Sequence, residues 1–469
     1  MKRLCLAAVV MLFAVSFAHA NPTRLVEMGL QNWMFDDDSN IWFSPAYINE
    51  YANMAWVDVG FDFAYPTLMF SQWGGVSLGT LGNLGVFFNR PYTGVSQMVG
   101  TTMGDIVGVP TMAGPAVGYA GPGSFFGYPL NTLTPPNKVD FFYGLMIGPL
   151  LDLGVSVNYA SAFIRDDCSL DSTASGDGYG SIAHEQSTQE INIKAAVTAK
   201  ELGPIPALDI VGYVGIPTVN NSYAEISHNQ VNNRYYTENI SLTNAGSYNC
   251  GVDARLKLKP ADIAFLVYGG WKMSYLPSIN TRKRDTGATT ALEGNLLQNR
   301  LYTANNINVG LAVNSQAEKF LLVCAAGFNY SVLQNSENET DPNGLFCTAK
   351  GEYLWSRTTC AIPVNIGLEY QPWGLRAGLA VSYELITNET IDPDYNTNGT
   401  LKDTRRTYSP WQLSAPVSIS LGLYNQLAEG IELDILLFKL STDLVYMMTY
   451  PYGLYPGYAT QMSLTYKFK

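Results

Sequence analysis

The stretch LLDLGVSVNYASAF, residues 150–163, alternates apolar and polar side chains one by one. Every second position from Leu151 to Tyr159 is apolar. The positions between them are Asp152, Gly154, Ser156 and Asn158. Side chains along a β-strand point to opposite faces in turn, so this period of two predicts a strand with one apolar and one polar face.

Three more stretches alternate in the same way. They are CGVDARLKLK (250–259), GLRAGLAVSYEL (374–385) and GIELDILLF (430–438). In each stretch the polar face carries acidic or basic side chains, whereas the other face is mainly aliphatic. Such two-sided strands are typical of sheets with one apolar and one wet face.

The links between the predicted strands alternate in length. Short links lie at 147–150, 200–206, 259–262, 314–318, 371–374 and 425–430. Long polar links lie at about 164–189, 217–247, 276–304, 333–358 and 386–414. Outer-membrane barrels show this alternation of periplasmic turns and external loops, and hydrocarbon forces a spanning sheet to close on itself. A large soluble all-β protein is the alternative.

The carboxyl-terminal stretch YATQMSLTYKFK (458–469) also alternates. It resembles the terminal strand by which the barrel-assembly machinery recognises outer-membrane proteins. Counting back from it gives fourteen clear strands that begin near 75–88, with a further one at 54–63. Because closed single-chain barrels normally have an even number of strands, the sequence predicts an all-β fold, a transmembrane antiparallel β-barrel of about 14 strands. Sixteen are expected if part of 90–137 also forms a strand.

The first twenty residues have the features of a signal peptide. Lys2 and Arg3 precede an apolar run, and Ala18-His19-Ala20 fits a cleavage site. No later stretch contains about 18 uninterrupted apolar residues, so transmembrane helices are not expected. We therefore expect a signal peptide at 1–20 and a place in the outer membrane of a Gram-negative-type bacterium. Outer-membrane lipid and the barrel-assembly machinery are the expected partners.

Charge and cysteine content exclude other classes of protein. After the leader there are 39 acidic and 25 basic residues, a net charge of −14, which excludes nucleic acid as the default partner. Charged residues make up 14% of the chain, against about a quarter in typical soluble domains. Five cysteines follow the leader, an odd number without CxxC pairs, and a bond between Cys347 and Cys360 stays open.

Charged side chains on the polar strand faces are expected to point into the barrel lumen. The candidates for the lumen or solute path are Asp152, Lys194, Asp209, Asp253, Arg255, Lys257, Lys272, Glu369, Arg376, Glu384, Glu432 and Asp434. Together with Glu190 and Lys467 they make eight negative and six positive charges. Two interpretations remain open: an ion-pair network that fills and rigidifies the barrel, or a polar conduit whose charges select the solute.

The sequence gives little support for enzymatic activity or for a bound cofactor. His184 and His228 fall in predicted external loops without a partnered serine motif, so we expect no enzymatic activity. The stretch DPDYNTNGTLKD (392–403) has the alternate oxygen ligands of a calcium loop, but its glycine is the eighth residue and its last ligand is aspartate. A plain polar turn is the alternative. We expect no cofactor, with calcium in this loop as the open exception.

Near the amino terminus, DDDSNIWFSPAYINEY (36–51) joins a polar run to an apolar one and leads into the predicted strand at 54–63. As a calcium loop it fails, because it contains no glycine. The stretch resembles the start of FadL-type outer-membrane transporters of hydrophobic compounds, where an Asn-Pro-Ala-Gly motif leads into the first strand. The matching positions here are Ser44, Pro45, Ala46 and Tyr47, so two of the four differ.

The resemblance implies that an amino-terminal hatch plugs the barrel. The hatch would be residues 21–55 and the barrel residues 56–469. The hatch candidates are Asp36, Asp38, Trp42, Phe43 and Pro45. The resemblance also implies a channel that passes small, probably hydrophobic molecules by passive diffusion. The alternatives are a water-filled porin for polar solutes and a structural or adhesive barrel that acts through its extracellular loops.

Overall fold

The structure is a computed structural model. It describes residues 22–62, 69–80, 82–88, 137–171, 179–203, 205–229, 234–244, 246–260, 263–285, 294–340, 352–395, 401–443 and 457–468. The predicted signal peptide at 1–20 and most of segment 90–137 therefore lie outside the described residues. Within the described ranges, no helix is long and apolar enough to cross a membrane.

Almost all of the described chain is β-strand. The strands are β1 (Met54–Asp62), β2 (Met69–Thr80), β3 (Gly82–Phe88), β4 (Asn137–Ile147), β5 (Leu151–Asp171), β6 (Tyr179–Leu202), β7 (Ile205–Asn229), β8 (Arg234–Asn244), β9 (Tyr248–Leu258), β10 (Ile263–Asp285), β11 (Gly294–Ala317), β12 (Phe320–Thr340), β13 (Glu352–Tyr370), β14 (Leu375–Tyr395), β15 (Leu401–Tyr408), β16 (Gln412–Ser414), β17 (Pro416–Ala428), β18 (Ile431–Asp443) and β19 (Gly457–Lys467). All strand pairings are antiparallel, and most strands pair with the next strand along the chain, as in a meander.

The sheet closes on itself, because β1 pairs with β19 as well as with β2. At the closure Met54 lies opposite Lys467 and Asp62 lies opposite Ala459. The segments β8 and β9 both lie between β7 and β10, so they form one interrupted barrel strand. Likewise β15, β16 and β17 all pair with β14. The barrel therefore has 16 strands, which confirms the predicted fold at the larger of its two sizes.

The two strands beyond fourteen come from the start of the chain. The predicted strand at 54–63 is β1, and the predicted strand at 75–88 is a hairpin of β2 and β3. Thr80 lies opposite Gly82, which has a φ of 98°, a backbone conformation that glycine adopts without strain. Among the described residues, this hairpin and not a strand within 90–137 brings the number of barrel strands to sixteen.

The faces of the barrel are divided as the alternation predicts. In β5 the side chains of Val155 and Val157 are 40% and 37% exposed, whereas those of Ser156 and Asn158 are 7% exposed. A wall with apolar side chains outside and polar side chains inside is stable only when hydrocarbon surrounds it. The closed sheet and its apolar outer surface place the protein in the outer membrane.

The two ends of the barrel differ. At one end, short turns join the strands, and Gly148, Gly203, Gly374 and Gly430 have positive φ there. At the other end the strands continue far into the predicted long loops: β5 extends to Asp171 and β6 begins at Tyr179. Much of the sequence assigned to loops therefore forms long hairpins. In the sequence of these stretches polar residues follow one another, so no alternation of apolar and polar residues is visible there.

Residues 22–51, called the lumen segment below, precede β1. The segment contains helix α1 (Pro22–Glu27), helix α2 (Asn40–Phe43) and a 3₁₀ helix (Pro45–Asn49). Helix α1 contacts β14, β17 and β18, while the 3₁₀ helix contacts β3 to β6 on the other side of the barrel. Most residues of the lumen segment are buried. A buried segment that contacts distant strands of a closed barrel lies in the lumen.

Candidate functional site

Glycines on the inner wall allow the lumen segment to approach the sheet closely. A Cβ atom at Gly154 would overlap the backbone of Pro45 and Ala46. A Cβ at Gly378 would overlap the backbone at Met28, and one at Gly422 would overlap the Glu27 side chain. At these three wall positions the absence of a side chain lets the segment pack directly against the sheet. This complementarity holds the segment near the short-turn end of the strands.

Two arginines and three carboxylates form the first polar contact between segment and wall. Arg24 lies 3.0 Å from Glu369, and Arg376 lies 2.8 Å from both Glu369 and Glu27. Arg376 also pairs with Asp434. All five side chains are buried. We call these residues the Arg376 cluster. Because α1 supplies Arg24 and Glu27, the cluster joins the segment to β13, β14 and β18.

A second cluster surrounds Arg255 on β9. Its guanidinium lies 2.8 Å from Asp209 and 3.4 Å from Asp36, and it donates a hydrogen bond of 2.7 Å to the Tyr47 hydroxyl. The guanidinium also lies 4.8 Å from the centroid of the Phe43 ring. Since Arg255 and Asp209 belong to the wall and the other three belong to the segment, this Arg255 cluster anchors residues 36–47.

Lysines provide further contacts on the same side of the barrel. Lys194 donates a 3.0 Å hydrogen bond to the backbone oxygen of Trp42. Lys200 bridges Glu50 of the segment, at 2.6 Å, and Asp152 of the wall, at 2.5 Å. Lys257 pairs with Asp36.

One sector of the inner wall is apolar instead of charged. Trp56, Phe87 and Phe142, on β1, β3 and β4, are buried and point inward. The Trp42 ring of the segment lies 4.8 Å from Phe87 and 5.1 Å from Phe142, edge to face in both cases. Ile41 and Ile48 complete the contact. We call this group the aromatic sector; its wall side chains come from β1, β3 and β4.

A second apolar group lies across the lumen. Trp33 of the segment stacks on Tyr268 of β10 with a centroid distance of 4.9 Å. Leu266, Val323 and Ala325 of the wall pack around it. The Tyr268 hydroxyl donates a 2.6 Å hydrogen bond to Asp253.

Asp37 and Asp38 are unusual within the segment. Both are buried, and Asp38 has two carboxylate oxygens without a hydrogen-bond partner among the described residues. Burial raises the pKa of Asp38 well above its usual range, and the Asp37 carboxylate raises it further. Burial also raises the pKa of Asp37 to about 6, although Arg24 and hydrogen bonds from Ser39 act in the opposite direction.

The structure brings most of the predicted lumen residues to the segment. Asp152, Lys194, Asp209, Arg255, Lys257, Glu369, Arg376 and Asp434 all belong to the contacts described above. Glu432 pairs with Lys467 at 3.0 Å, and Lys272 lies 5.8 Å from the Tyr213 ring centroid. Glu384 lies on the same strand as Arg376, farther from the short turn, and is half-buried. The charged side chains near the segment thus lie in ion pairs and hydrogen bonds, and a role of these charges in selecting the solute stays a prediction.

The predicted hatch residues also lie in these contacts. Asp36 and Phe43 face Arg255, Trp42 enters the aromatic sector, and Pro45 begins the 3₁₀ helix against Gly154. Asp38 has no such partner.

Arg24, Glu27 and Tyr47 were not among the sequence candidates, although each makes a buried contact with the wall. The signal available for Arg24 and Glu27 was their i, i+3 spacing in an otherwise apolar stretch, which puts both on one helix face.

Other sequence-based hypotheses fall largely outside the described side chains. The backbone of Asp392 and Asp394 belongs to β14 and pairs with β15, so part of the proposed calcium loop is a hairpin. Its side chains, like those of His184 and His228, lie outside the described ones. Both histidines lie on strands, β6 and β7, and not in loops. Cys250, Cys324 and Cys360 are free thiols, and Cys347 is outside the described residues.

No family model and no curated protein matches the chain. Several solved structures are similar to it. A FadL homologue of Pseudomonas aeruginosa is 10% identical with a TM-score of 0.36, covering 97% of this chain and 100% of that chain. The toluene transporter TodX of Pseudomonas putida is 8% identical with a TM-score of 0.37, covering 96% and 99%. The CymD monoaromatic hydrocarbon channel is 10% identical with a TM-score of 0.37, covering 97% and 99%.

A FadL homologue is thus among the similar structures, as the resemblance of residues 36–51 leads one to expect. At these identities and TM-scores the likeness adds nothing about the solute. The assignment of the fold rests on the strand pairings and on the burial pattern of the wall.

Proposed function

We propose that the protein is an outer-membrane channel for small apolar molecules and that the lumen segment is its plug. The proposal rests on the aromatic sector. In this sector the rings of Trp42, Phe87 and Phe142 pack on one another, whereas buried ion pairs of Arg255 and Arg376 hold other parts of the segment. A small apolar molecule can replace such ring contacts at little cost, because packing between aromatic rings involves no ion pair.

A plug is also needed if a barrel of this size is to select between solutes. A barrel of sixteen strands that is otherwise empty encloses an aqueous channel. In this protein the lumen segment lies in the lumen near the short turns, with Arg255 and Arg376 anchoring it on different strands. Passage is therefore proposed to follow the aromatic sector, by passive diffusion and without chemical change of the solute. The protein is not proposed to be an enzyme.

Phe142 and its neighbour Phe141 offer a matched test of the route. Phe142 is 4% exposed and faces the lumen, whereas Phe141 is 48% exposed and faces the lipid. We expect Phe142→Asn to reduce uptake of a radiolabelled aromatic hydrocarbon by Gram-negative cells that express the protein. Phe142→Leu, which keeps the sector apolar, should retain uptake. Phe141→Leu is the control for the lipid face.

The same cells separate the proposal from a water-filled porin. A radiolabelled disaccharide should enter much more slowly than the hydrocarbon, because a polar solute loses its hydration in an apolar passage. Equal entry of both solutes, or unchanged hydrocarbon uptake by Phe142→Asn, would refute the proposed route. Cell attachment that depends on the barrel while neither solute enters would instead favour an adhesive role.

A further inference from the structure

The polar contact region around α1 contains more acids than bases. Glu27, Glu369 and Asp434 pair with Arg24 and Arg376 in the Arg376 cluster, and Glu432 pairs with Lys467 next to it. Asp37 and Asp38 add two further carboxylates. Six acidic groups thus share three basic groups in a buried region. The basic groups are each within 3.0 Å of a carboxylate other than Asp37 or Asp38.

Asp38 stands apart within this region. Its side chain is 2% exposed, and neither oxygen accepts or donates a hydrogen bond within the described part of the chain. The ionisable groups that act on it come from three elements. They are Asp37 in the segment itself, Glu432 and Asp434 on β18, and Lys467 on β19. Tyr51, at the end of the segment, is close enough to be affected by Asp38 in turn.

An ionised carboxylate at the position of Asp38 is unfavourable in free energy. Burial removes its hydration, Asp37, Glu432 and Asp434 oppose its negative charge, and no N–H or O–H of the described residues donates to it. The Asp38 oxygens are not part of a metal-binding group of three or more acidic, histidine or cysteine side chains among the described residues. A bound proton neutralises the Asp38 carboxylate, and it requires no other coordinating group.

We propose that Asp38 is a proton-binding site and that the lumen segment is seated in the barrel with Asp38 protonated. Leaving the lumen then releases this proton to water, so the position of the segment is coupled to pH. The inference rests on the proposed function only in that the segment acts as the plug. The inference adds a condition for opening of the channel, the loss of the Asp38 proton, which does not follow from the aromatic sector.

The direction of the coupling follows from the two states of the carboxyl. In water its pKa is about 3.9, and in the seated state the pKa is raised by burial and by Asp37. Seating is therefore fully favoured below about pH 4 and weakens as the pH rises. For one proton the seated-to-released ratio falls up to about tenfold per pH unit, until the pH exceeds the raised pKa.

Trypsin cleavage after Arg24 measures release directly. Arg24 is 2% exposed while the segment is seated, so cleavage requires the segment to leave. The purified full-length barrel is digested in detergent between about pH 6 and about pH 9, and the product that begins at Leu25 is quantified by mass spectrometry. The rate is divided by that of Asp38→Asn at the same pH, which cancels the pH dependence of trypsin. Asparagine has the shape of a protonated aspartate and cannot ionise.

The wild-type to Asp38→Asn ratio of cleavage rates should rise with pH by up to about tenfold per unit. Asp36→Asn is the matched control. It weakens the contacts of the segment with Lys257 and Arg255, so it should be cleaved faster than the wild type throughout the pH range. A ratio that stays constant with pH, or faster cleavage of Asp38→Asn than of the wild type, would overturn the inference. Cleavage reports seating whether or not any solute passes, so hydrocarbon uptake tests the proposed function separately.

Discussion

At the scale of single residues, arginine has a role in this lumen that lysine does not take. Arg376 contacts Glu27, Glu369 and Asp434 at once, and Arg255 contacts Asp209, Tyr47 and Asp36. A planar guanidinium with five N–H donors satisfies several acceptors, and it stays charged when buried. Each arginine therefore joins at least two wall strands to the segment.

Replacing Arg376 by methionine should destabilise the protein strongly. The substitution keeps much of the side-chain volume but leaves Glu27 and Asp434 buried without their cation, which costs about 3–5 kcal/mol. Unfolding by guanidinium chloride in detergent, followed by tryptophan fluorescence, measures the change.

Arg406→Met provides the comparison. Arg406 also pairs with a glutamate, Glu389, but its side chain is 57% exposed. Solvent screens such a pair, so the expected loss is about 0–1 kcal/mol. Equal losses in the two variants would contradict the structural role given to the Arg376 cluster.

At the scale of elements, the lumen segment and the wall are shaped for each other. Helices α1 and α2 and the 3₁₀ helix are too short to be stable alone in water. They persist because inward glycines on the wall admit their backbone and because Trp33 and Trp42 pack on wall aromatics. The fold of the segment is consequently a property of the complete barrel.

Gly378→Ala tests this fit. The new methyl group would collide with the backbone at Met28 and Gly29, so either strand or segment must move, at a cost of about 1–3 kcal/mol. Gly269→Ala is the matched control, because a Cβ there meets no atom within 4 Å. We expect Gly378→Ala to accelerate trypsin cleavage after Arg24 and Gly269→Ala to leave it unchanged. Equal cleavage rates in the two variants would show that the glycine is not needed for seating.

The sequence could predict the wall better than its contents. Alternation such as Leu151 to Tyr159 has a local cause, the geometry of a strand, so strands and their polar faces could be predicted. The sequence predicts one strand where the structure has the hairpin of β2 and β3, because Gly79, Gly82 and Gly85 interrupt the pattern. Contacts within the lumen could not be predicted at all: Arg24 and Glu369 are 345 residues apart, and only closure of the sheet brings them together.

At the scale of the whole molecule, lipid outside and the segment inside stabilise the same wall from its two faces. On β11 Val309 points outward and is 50% exposed, whereas Asn308 points inward. Successive residues of a strand therefore face different surroundings, hydrocarbon on the outside of the barrel and a polar lumen on the inside. This division is what the period of two in the sequence encodes.

Val309→Arg should therefore be much more harmful than Asn308→Arg. A charge on the lipid face costs about 2–4 kcal/mol near the middle of the bilayer, while a lumen position tolerates it better. Folding into lipid vesicles, measured as the free energy of unfolding in guanidinium chloride, compares the two variants. A smaller loss for Val309→Arg than for Asn308→Arg would mean that the faces are reversed.

The most direct test of the plug is the conductance of single channels in a planar bilayer. The full-length protein is compared with a deletion of residues 22–51, which leaves every barrel strand in place. The full-length protein should conduct little if the segment is the plug, and the deletion should conduct steadily, as an open barrel of sixteen strands does. A large steady current through the full-length protein would contradict the account.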